Sequence, residues 1–591
     1  MSGTGTTTAL SGTTFSGSGD RSLKNGRSLV LYGTSAWAGT GGFVTSGSIT
    51  ITVTNNGTFD IQNDESFDQS GTTQPVFNNF GTLIKTAGTG TSEIEGQFNN
   101  TGPGASVVVQ TGKLVLGGGT SDRPFDATGA ALEFAGAHTL LAGATVTGAH
   151  ISFVSNATKT VDDSFEATES TTVNGSGGLI VELNGPVLGV GDLLVDGGTI
   201  HFNSGPIAAQ DVTLNGGGTA DLPVGDSTAA ALAIAGGTLS GAGGLTVAGA
   251  STWTSGGMTE MGTTTFYDTL TISSSSTKTL KDGRSLTLNG ATTWTGTGNI
   301  SYSGATPVTM TNNGDFDIQN DATFADGGAG APTIINNGMM TKSAGTGTTT
   351  FQAAFTNAGT VESRSGLFRV AGADTQTVGQ TILNGGNVQS TSAISIQDGT
   401  LEGFGTLTAN VTSDGTVSPG LSAGTLAITG NYTQNAGGEF RVELGRYTQG
   451  SEFDLLAVSA TASLDGTLLV ELIDGFTPLV GDQFVVLTAG TRNGTFASVV
   501  TEPSGLAVDV IYAAQSVTVE IADVPPPVEC ATCPGDVTGD SLFDADDIQP
   551  FVDCLLLGGP ACGCADMDGG GLTLDDVALF VTALLNSATC P

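Results

Sequence analysis

Acidic residues crowd one dozen-residue stretch near the carboxyl end, Asp536-Val-Thr-Gly-Asp-Ser-Leu-Phe-Asp-Ala-Asp-Asp547. Carboxylates packed this tightly repel one another unless a cation lies among them. A hard divalent ion takes about six to eight oxygens, and a twelve-residue loop supplies them from positions 1, 3, 5, 7, 9 and 12. Those positions are Asp536, the Thr538 hydroxyl, Asp540, the Leu542 main-chain carbonyl, Asp544 through a water, and Asp547. An all-oxygen donor set in this order points to calcium. Ile548, Phe551, Val552, Leu555 and Leu556 follow at helical spacing, so the loop must run straight into a helix with one apolar face.

A second unit begins at Asp566-Met-Asp-Gly-Gly-Gly571 and ends at Asp576-Val577, with Phe580, Val581, Leu584 and Leu585 on its helix. The loop starts align at an offset of 30 (536 to 566) and the helices at 29 (547 to 576), so the second loop is one residue short. Gly570 stands where the fifth position should offer a side-chain oxygen. Asp566, Asp568 and Asp576 remain as donors, and calcium is expected to bind them weakly or not at all. The paired loop-helix arrangement resembles type I dockerins, in which each repeat is a calcium loop plus one helix and the pair docks onto a cohesin module. The resemblance spans residues 534–587 and implies Asp536, Asp540, Asp544, Asp547, Asp566, Asp568 and Asp576 as ligands, with a cohesin-like or cell-surface protein as partner. Thr538 in place of the usual Asn, Ser541 in place of the loop Gly, the short second loop and extra cysteines depart from that family's pattern.

All six cysteines, Cys530, Cys533, Cys554, Cys562, Cys564 and Cys590, fall in this module. An even number in a unit too small to rely on its core reads as a disulfide framework formed in an oxidising, extracellular or cell-surface setting. Zinc competes for Cys530 and Cys533, but no histidine lies nearby and the spacing to Cys562 and Cys564 matches no common finger. The formal charge of −39, from 55 acidic against 16 basic residues, argues against nucleic acid and anionic membranes. No apolar run reaches the length of a membrane span, and the first residues lack the blocks of a signal peptide.

Ahead of the module the chain is repetitive. Lys24-Asn-Gly-Arg-Ser-Leu29 returns as Lys281-Asp-Gly-Arg-Ser-Leu286, Thr54-Asn-Asn-Gly-Thr-Phe-Asp-Ile-Gln-Asn-Asp64 as Thr311-Asn-Asn-Gly-Asp-Phe-Asp-Ile-Gln-Asn-Asp321, and Lys85 as Lys342, each 257 positions later. Inside each copy, Asn and Gly punctuation recurs at Gly57, Gly81 and Gly102, then at Gly314, Gly338 and Gly359. Short alternating stretches such as Thr58-Phe-Asp-Ile61 follow each mark, which is strand spacing. A turn, a few short strands and a repeat of about 20–25 residues describe one rung of a β-solenoid. Stacking places Asn, Thr and Ser of successive rungs in side-chain ladders, with Gly at corners of positive φ. About 20 rungs at about 4.8 Å each would make a rod of about 95 Å. The style of residues 1–523 resembles the passenger regions of bacterial autotransporter and haemagglutinin-like adhesins. The expected fold is mostly β, a right-handed parallel β-solenoid over residues 1–430 with a terminal β cap over 431–523. A Pro-rich linker over 524–529 then leads to a small α-helical, dockerin-like calcium-binding module over 530–591.

Candidate catalytic residues are sparse. His138, His150 and His201 have no nucleophile motif around them. Asp60 and Asp64 with Lys85, and Asp317 and Asp321 with Lys342, match the acid-and-lysine chemistry of β-helix pectinases and lyases. Their recurrence in both copies reads as rung architecture rather than catalysis, because an active site would be a lone, unduplicated acidic and basic cluster. The sequence therefore favours a non-catalytic structural or adhesive protein anchored through calcium. A polysaccharide-acting enzyme carried by the dockerin-like module is the alternative. Polysaccharide binding through aromatics is the weakest reading, because Trp37, Trp253 and Trp294 are scattered.

Overall fold

Alternation within each short strand sends every second side chain inward, and that alone builds the wall of the coil. In Thr58–Ile61, Phe59 and Ile61 are buried while Thr58 and Asp60 face outward. The strand pairs in parallel with Thr34–Trp37 of the preceding turn and Thr82–Lys85 of the next, in register, so Phe59 stacks over Leu83 and then Val107. Repetition of this pairing gives the computed structural model a parallel β-solenoid of about 21 turns, with 55% of residues in strands and 5% in helices. At about 4.8 Å per turn the coil is about 100 Å long. The structure describes residues 1–522 apart from residue 329, then 535–538, 543–557, 560–568 and 570–585.

The corners explain the Asn and Gly punctuation. Asn55, Asn79 and Asn100 are buried one above another, and each side-chain amide donates to the next, at 2.8 Å both from Asn55 to Asn79 and from Asn79 to Asn100. The second copy repeats the ladder through Asn312, Asn336 and Asn357, again at 2.8 Å per step. Each rung also satisfies a main-chain carbonyl, Thr82 from Asn55 and Ser106 from Asn79, both at 3.0 Å. The donating nitrogens of these buried amides are thereby paired in a place where an unpaired donor would be costly. Of the glycines beside the ladder, Gly102 holds φ +98°, as expected of a corner, whereas Gly57 and Gly81 serve close approach: a Cβ on Gly57 would lie 2.0 Å from the Gly33 carbonyl oxygen, and one on Gly81 2.1 Å from that of Gly57.

Parallel pairing continues through residues 431–502, ending with Thr467–Leu472 against Ser498–Glu502. A short antiparallel hairpin then closes the coil, Val508–Tyr512 against Ser516–Ile521, the latter laid on Gln483–Thr488. Val517, Val519 and Ile521 from it join the buried cluster of the last turns, so the final edge along Gln483–Thr488 is covered by a strand running against the coil's direction. No helix among the described residues is long and apolar enough to cross a membrane. All three tryptophans are buried in the core, with no accessible surface, which removes them as platforms for a sugar ring.

After the coil come two helices, α1 (Ile548–Leu557) and α2 (Leu574–Leu585). Phe551 and Phe580, 29 positions apart, stack with ring centroids 3.9 Å apart, and Phe543 meets Phe580 edge-on at 5.0 Å. Gly535 holds φ +100° against Phe543, where a Cβ would come within 2.6 Å of the ring. A disulfide joins Cys554 on α1 to Cys562 in the 3₁₀ turn Pro560–Ala565, and no described cysteine is free. Cys530, Cys533 and Cys590 lie outside the described residues.

Candidate metal centre

Each helix of the C-terminal module begins over a buried aspartate that ties the preceding loop together. Asp547 closes the first loop: its Oδ1 accepts from the Thr538 amide at 2.9 Å and the Thr538 hydroxyl at 2.9 Å, and its Oδ2 from the Asp544 amide at 3.0 Å. Asp544 answers as N-cap, accepting from the Asp546 amide at 2.9 Å and from Asp547, a reciprocal capping box. The Thr538 hydroxyl also lies 3.3 Å from Asp536 Oδ1, so the first, third and last positions of the loop converge. Asp536 and Asp547 are both buried, while Asp544 is exposed. Asp540 and Leu542, the remaining predicted ligands, lie outside the described residues.

Asp576 plays the same part 29 residues later. Its Oδ1 accepts from the amides of Met567 at 2.7 Å and Asp568 at 3.3 Å, and its Oδ2 from the Thr573 amide at 2.7 Å. One oxygen spanning two consecutive amides accommodates the missing residue, and the helices keep their alignment. The Thr573 amide, followed by those of Met567 and Asp568, holds the Asp576 carboxyl below the usual carboxylate range against the opposing effect of burial. Asp566, Asp568 and Asp576 bring one carboxylate oxygen each to within 4.8 Å of one another. Oxygens sharing one calcium ion at about 2.3–2.6 Å each lie up to about 5 Å apart, so this donor set fits that ion in size and hardness. Gly570 donates its amide to Asp568 at 2.7 Å and supplies no side-chain oxygen. Thr573 was not among the predicted site residues, although the 29-residue alignment places it opposite Asp544.

The other candidates are structural. Alternation puts Lys85 on the same side of its strand as Leu83, and the side chain is fully buried. Its ammonium donates to the Asn63 carbonyl at 2.6 Å, Asp64 Oδ1 at 2.9 Å, Ser92 Oγ at 2.9 Å and the Ala87 carbonyl at 3.1 Å. Lys342 repeats this with Asn320 at 2.8 Å, Asp321 at 2.9 Å, Thr349 at 3.1 Å and Ala344 at 3.1 Å. Asp60 and Asp317 project from the opposite face of the wall, so neither shares a site with its lysine. The histidines do not come together either. His138 is buried against Phe134, and burial followed by the charge of Lys159 pushes its imidazole down to about 3. His150 is exposed beside Ser170, and His201 bonds Asp221 at 2.7 Å on another turn.

No family model and no curated protein matches the chain. The functional reading therefore stands on these contacts alone.

Proposed function

We propose that the protein is an extracellular or cell-surface structural rod whose C-terminal module binds calcium and attaches the rod to a partner. The repetition of a buried, amide-bound aspartate at the same place in two loop-helix units, Asp547 and Asp576, carries this reading. Asp536, Thr538, Asp544 and Asp547, with Asp540 and the Leu542 carbonyl, would hold the ion in the first loop, and Asp566, Asp568 and Asp576 in the second. Bound calcium supplies the positive charge that lets these carboxylates sit together. The protein's own part is to fix the loops: the capping box aims Asp544 and Asp547, and the Phe551–Phe580 stack locks one unit to the other.

Attachment rests on what the helices leave uncovered. Ile548, Val552 and Leu556 on α1, and Val581 and Leu585 on α2, are exposed apolar side chains, and Val552 and Leu556 match Val581 and Leu585 at the same 29-residue offset. Repeated apolar ridges on paired helices suit a protein partner, of cohesin type or another cell-surface protein. The Cys554–Cys562 bridge agrees with an oxidising compartment.

Calcium titrated calorimetrically into the full chain is expected to bind saturably, the first loop more tightly than the second. At a hundredfold excess over the dissociation constant, binding should stabilise the module by about 2.7 kcal/mol. Asp547→Ala should remove the tighter phase and Asp576→Ala the weaker. Absence of any binding at millimolar calcium would sink the proposal.

A further inference from the structure

The duplicated segment contains its own control. Asp60 and Asp317 occupy equivalent outward positions and are held alike, Asp60 by Thr86 and by Gln62 at 2.6 Å, Asp317 by Ser343 and by Gln319 at 2.6 Å. Beyond them the copies part. In the first, Asp60 pairs with Ile84 and Ile84 with Val108, an apolar outer column. In the second, Asp317 pairs with Thr341 and Thr341 with Glu362. Thr82 pairs with Ser106 and Met339 with Thr360, steps of 24 and 21 residues, so the second copy's turn is three residues shorter here. With that correction, Glu362 replaces Val108 and Arg364 replaces Gln110. Comparison at the constant 257-residue offset hides both changes.

These replacements border an open groove of about 310 Å³ on the outer sheet face, lined by Asp315, Asp317, Met339, Thr341, Ser343 and Arg364. Glu362 is buried and accepts from Arg364 at 2.7 Å and from Asn384 at 2.8 Å, which fixes the guanidinium at the groove edge. Arg364 itself remains half exposed. Carboxylate acceptors thus face guanidinium donors across hydroxyls that do both, above the thioether of Met339. An anion would meet Asp315 and Asp317, and a cation would meet Arg364. A ligand whose groups each donate and accept, with an apolar C–H face for Met339, satisfies both walls.

We propose that this groove binds a neutral polyhydroxylated chain, a segment of uncharged polysaccharide, with Asp317, Thr341, Ser343 and Arg364 contacting its hydroxyls and Glu362 acting as a positioning residue for Arg364. The site is one of binding: Arg364 holds the Glu362 carboxyl below the usual range, so Glu362 carries no proton to donate. It is independent of the calcium module and stands or falls separately from it.

The test uses the full chain and two oligosaccharides, cellohexaose as the neutral probe and hexagalacturonate as the anionic one. Saturable calorimetric or NMR-detected binding of the neutral probe, with the anionic probe at least about tenfold weaker, is expected. The double variant Glu362→Val with Arg364→Gln installs the side chains that the first copy carries at equivalent places, so the coil can accommodate it, and it should weaken the neutral probe at least about tenfold. Retained binding in that variant, preference for the anionic probe, or no binding of either would overturn the proposal.

Discussion

Lys85 shows how a single residue can imitate chemistry in sequence and serve architecture in space. A lysine about one repeat beyond a pair of aspartates suggests an active site, yet its strand alternation already sends it inward with Leu83. Once inside, the ammonium serves the Asn63 and Ala87 carbonyls, Asp64 and Ser92 together. Lys85→Met keeps the length of the side chain and removes those bonds, which should cost the local turns about 2–4 kcal/mol. Asp60→Asn, on the outer surface, should stay within about 0.5 kcal/mol of the parent. Hydrogen exchange of amides between Asn63 and Ser92 distinguishes the two, and equal protection in both variants would contradict this account. The pH dependence has a definite sign. Burial works to raise the Asp64 carboxyl, but the bonds from Lys85 and the Gly90 amide bring it below its ordinary 3.8. The stabilisation it gives is therefore present above that value and lost as pH falls through the lower folded one, and Lys85→Met should abolish this acid-sensitive part.

At the scale of strands and turns, the period, the parallel stacking and the Asn ladders were all legible, because repeated spacing writes itself directly into sequence. Two features were not. The glycine punctuation reads as a requirement for positive φ, which holds at Gly102, whereas Gly57 and Gly81 are needed because backbones of successive turns nearly touch. The Glu362 and Arg364 pair was concealed by three residues lost from one turn, a change that leaves strands in register while shifting their numbering. In the C-terminal module, the 29-residue spacing of the two loop-helix units was readable, but the anchoring role of Thr573 emerged only from its bonds to Asp576. Asp374 is a local exception to the apolar interior. Its neighbours in register are Phe355 and Ile394, and it borders an interior cavity of about 20 Å³. Burial pushes its carboxyl up to about 7. Ionising it inside the coil costs stability, so these turns should be most stable below the ordinary carboxyl range and weaken as pH rises from about 4 toward 7. Asp374→Leu should remove that dependence and stabilise the turns by about 1–3 kcal/mol at pH 8. Hydrogen exchange at pH 5 and pH 8 reads both effects, and equal parental stability at the two pH values would refute the assignment.

For the whole molecule, stacking turns has a consequence that no single strand shows. Almost every internal strand has a neighbour on each side, so the long flanks of the coil present side chains rather than open edges, and the antiparallel hairpin Val508–Tyr512 and Ser516–Ile521 covers the last turn along Gln483–Thr488. Those flanks carry most of a net charge of −39. Rods of this kind should repel one another along their length at low salt and lose that repulsion as ions screen it. The screening length is about 30 Å at 0.01 M ionic strength and about 8 Å at 0.15 M. Small-angle X-ray scattering of the full chain should therefore give a rod-like profile with a maximum dimension of at least about 100 Å. Its low-angle intensity should be depressed at 0.01 M salt and recover at 0.15 M. The dimension follows from about 21 turns and must not change with salt, since it is set by backbone hydrogen bonds between turns rather than by surface charge. A profile typical of a sphere would contradict the coil itself. Net attraction at low salt would instead show that the acidic flanks are neutralised in solution, and that something other than charge governs how these rods meet.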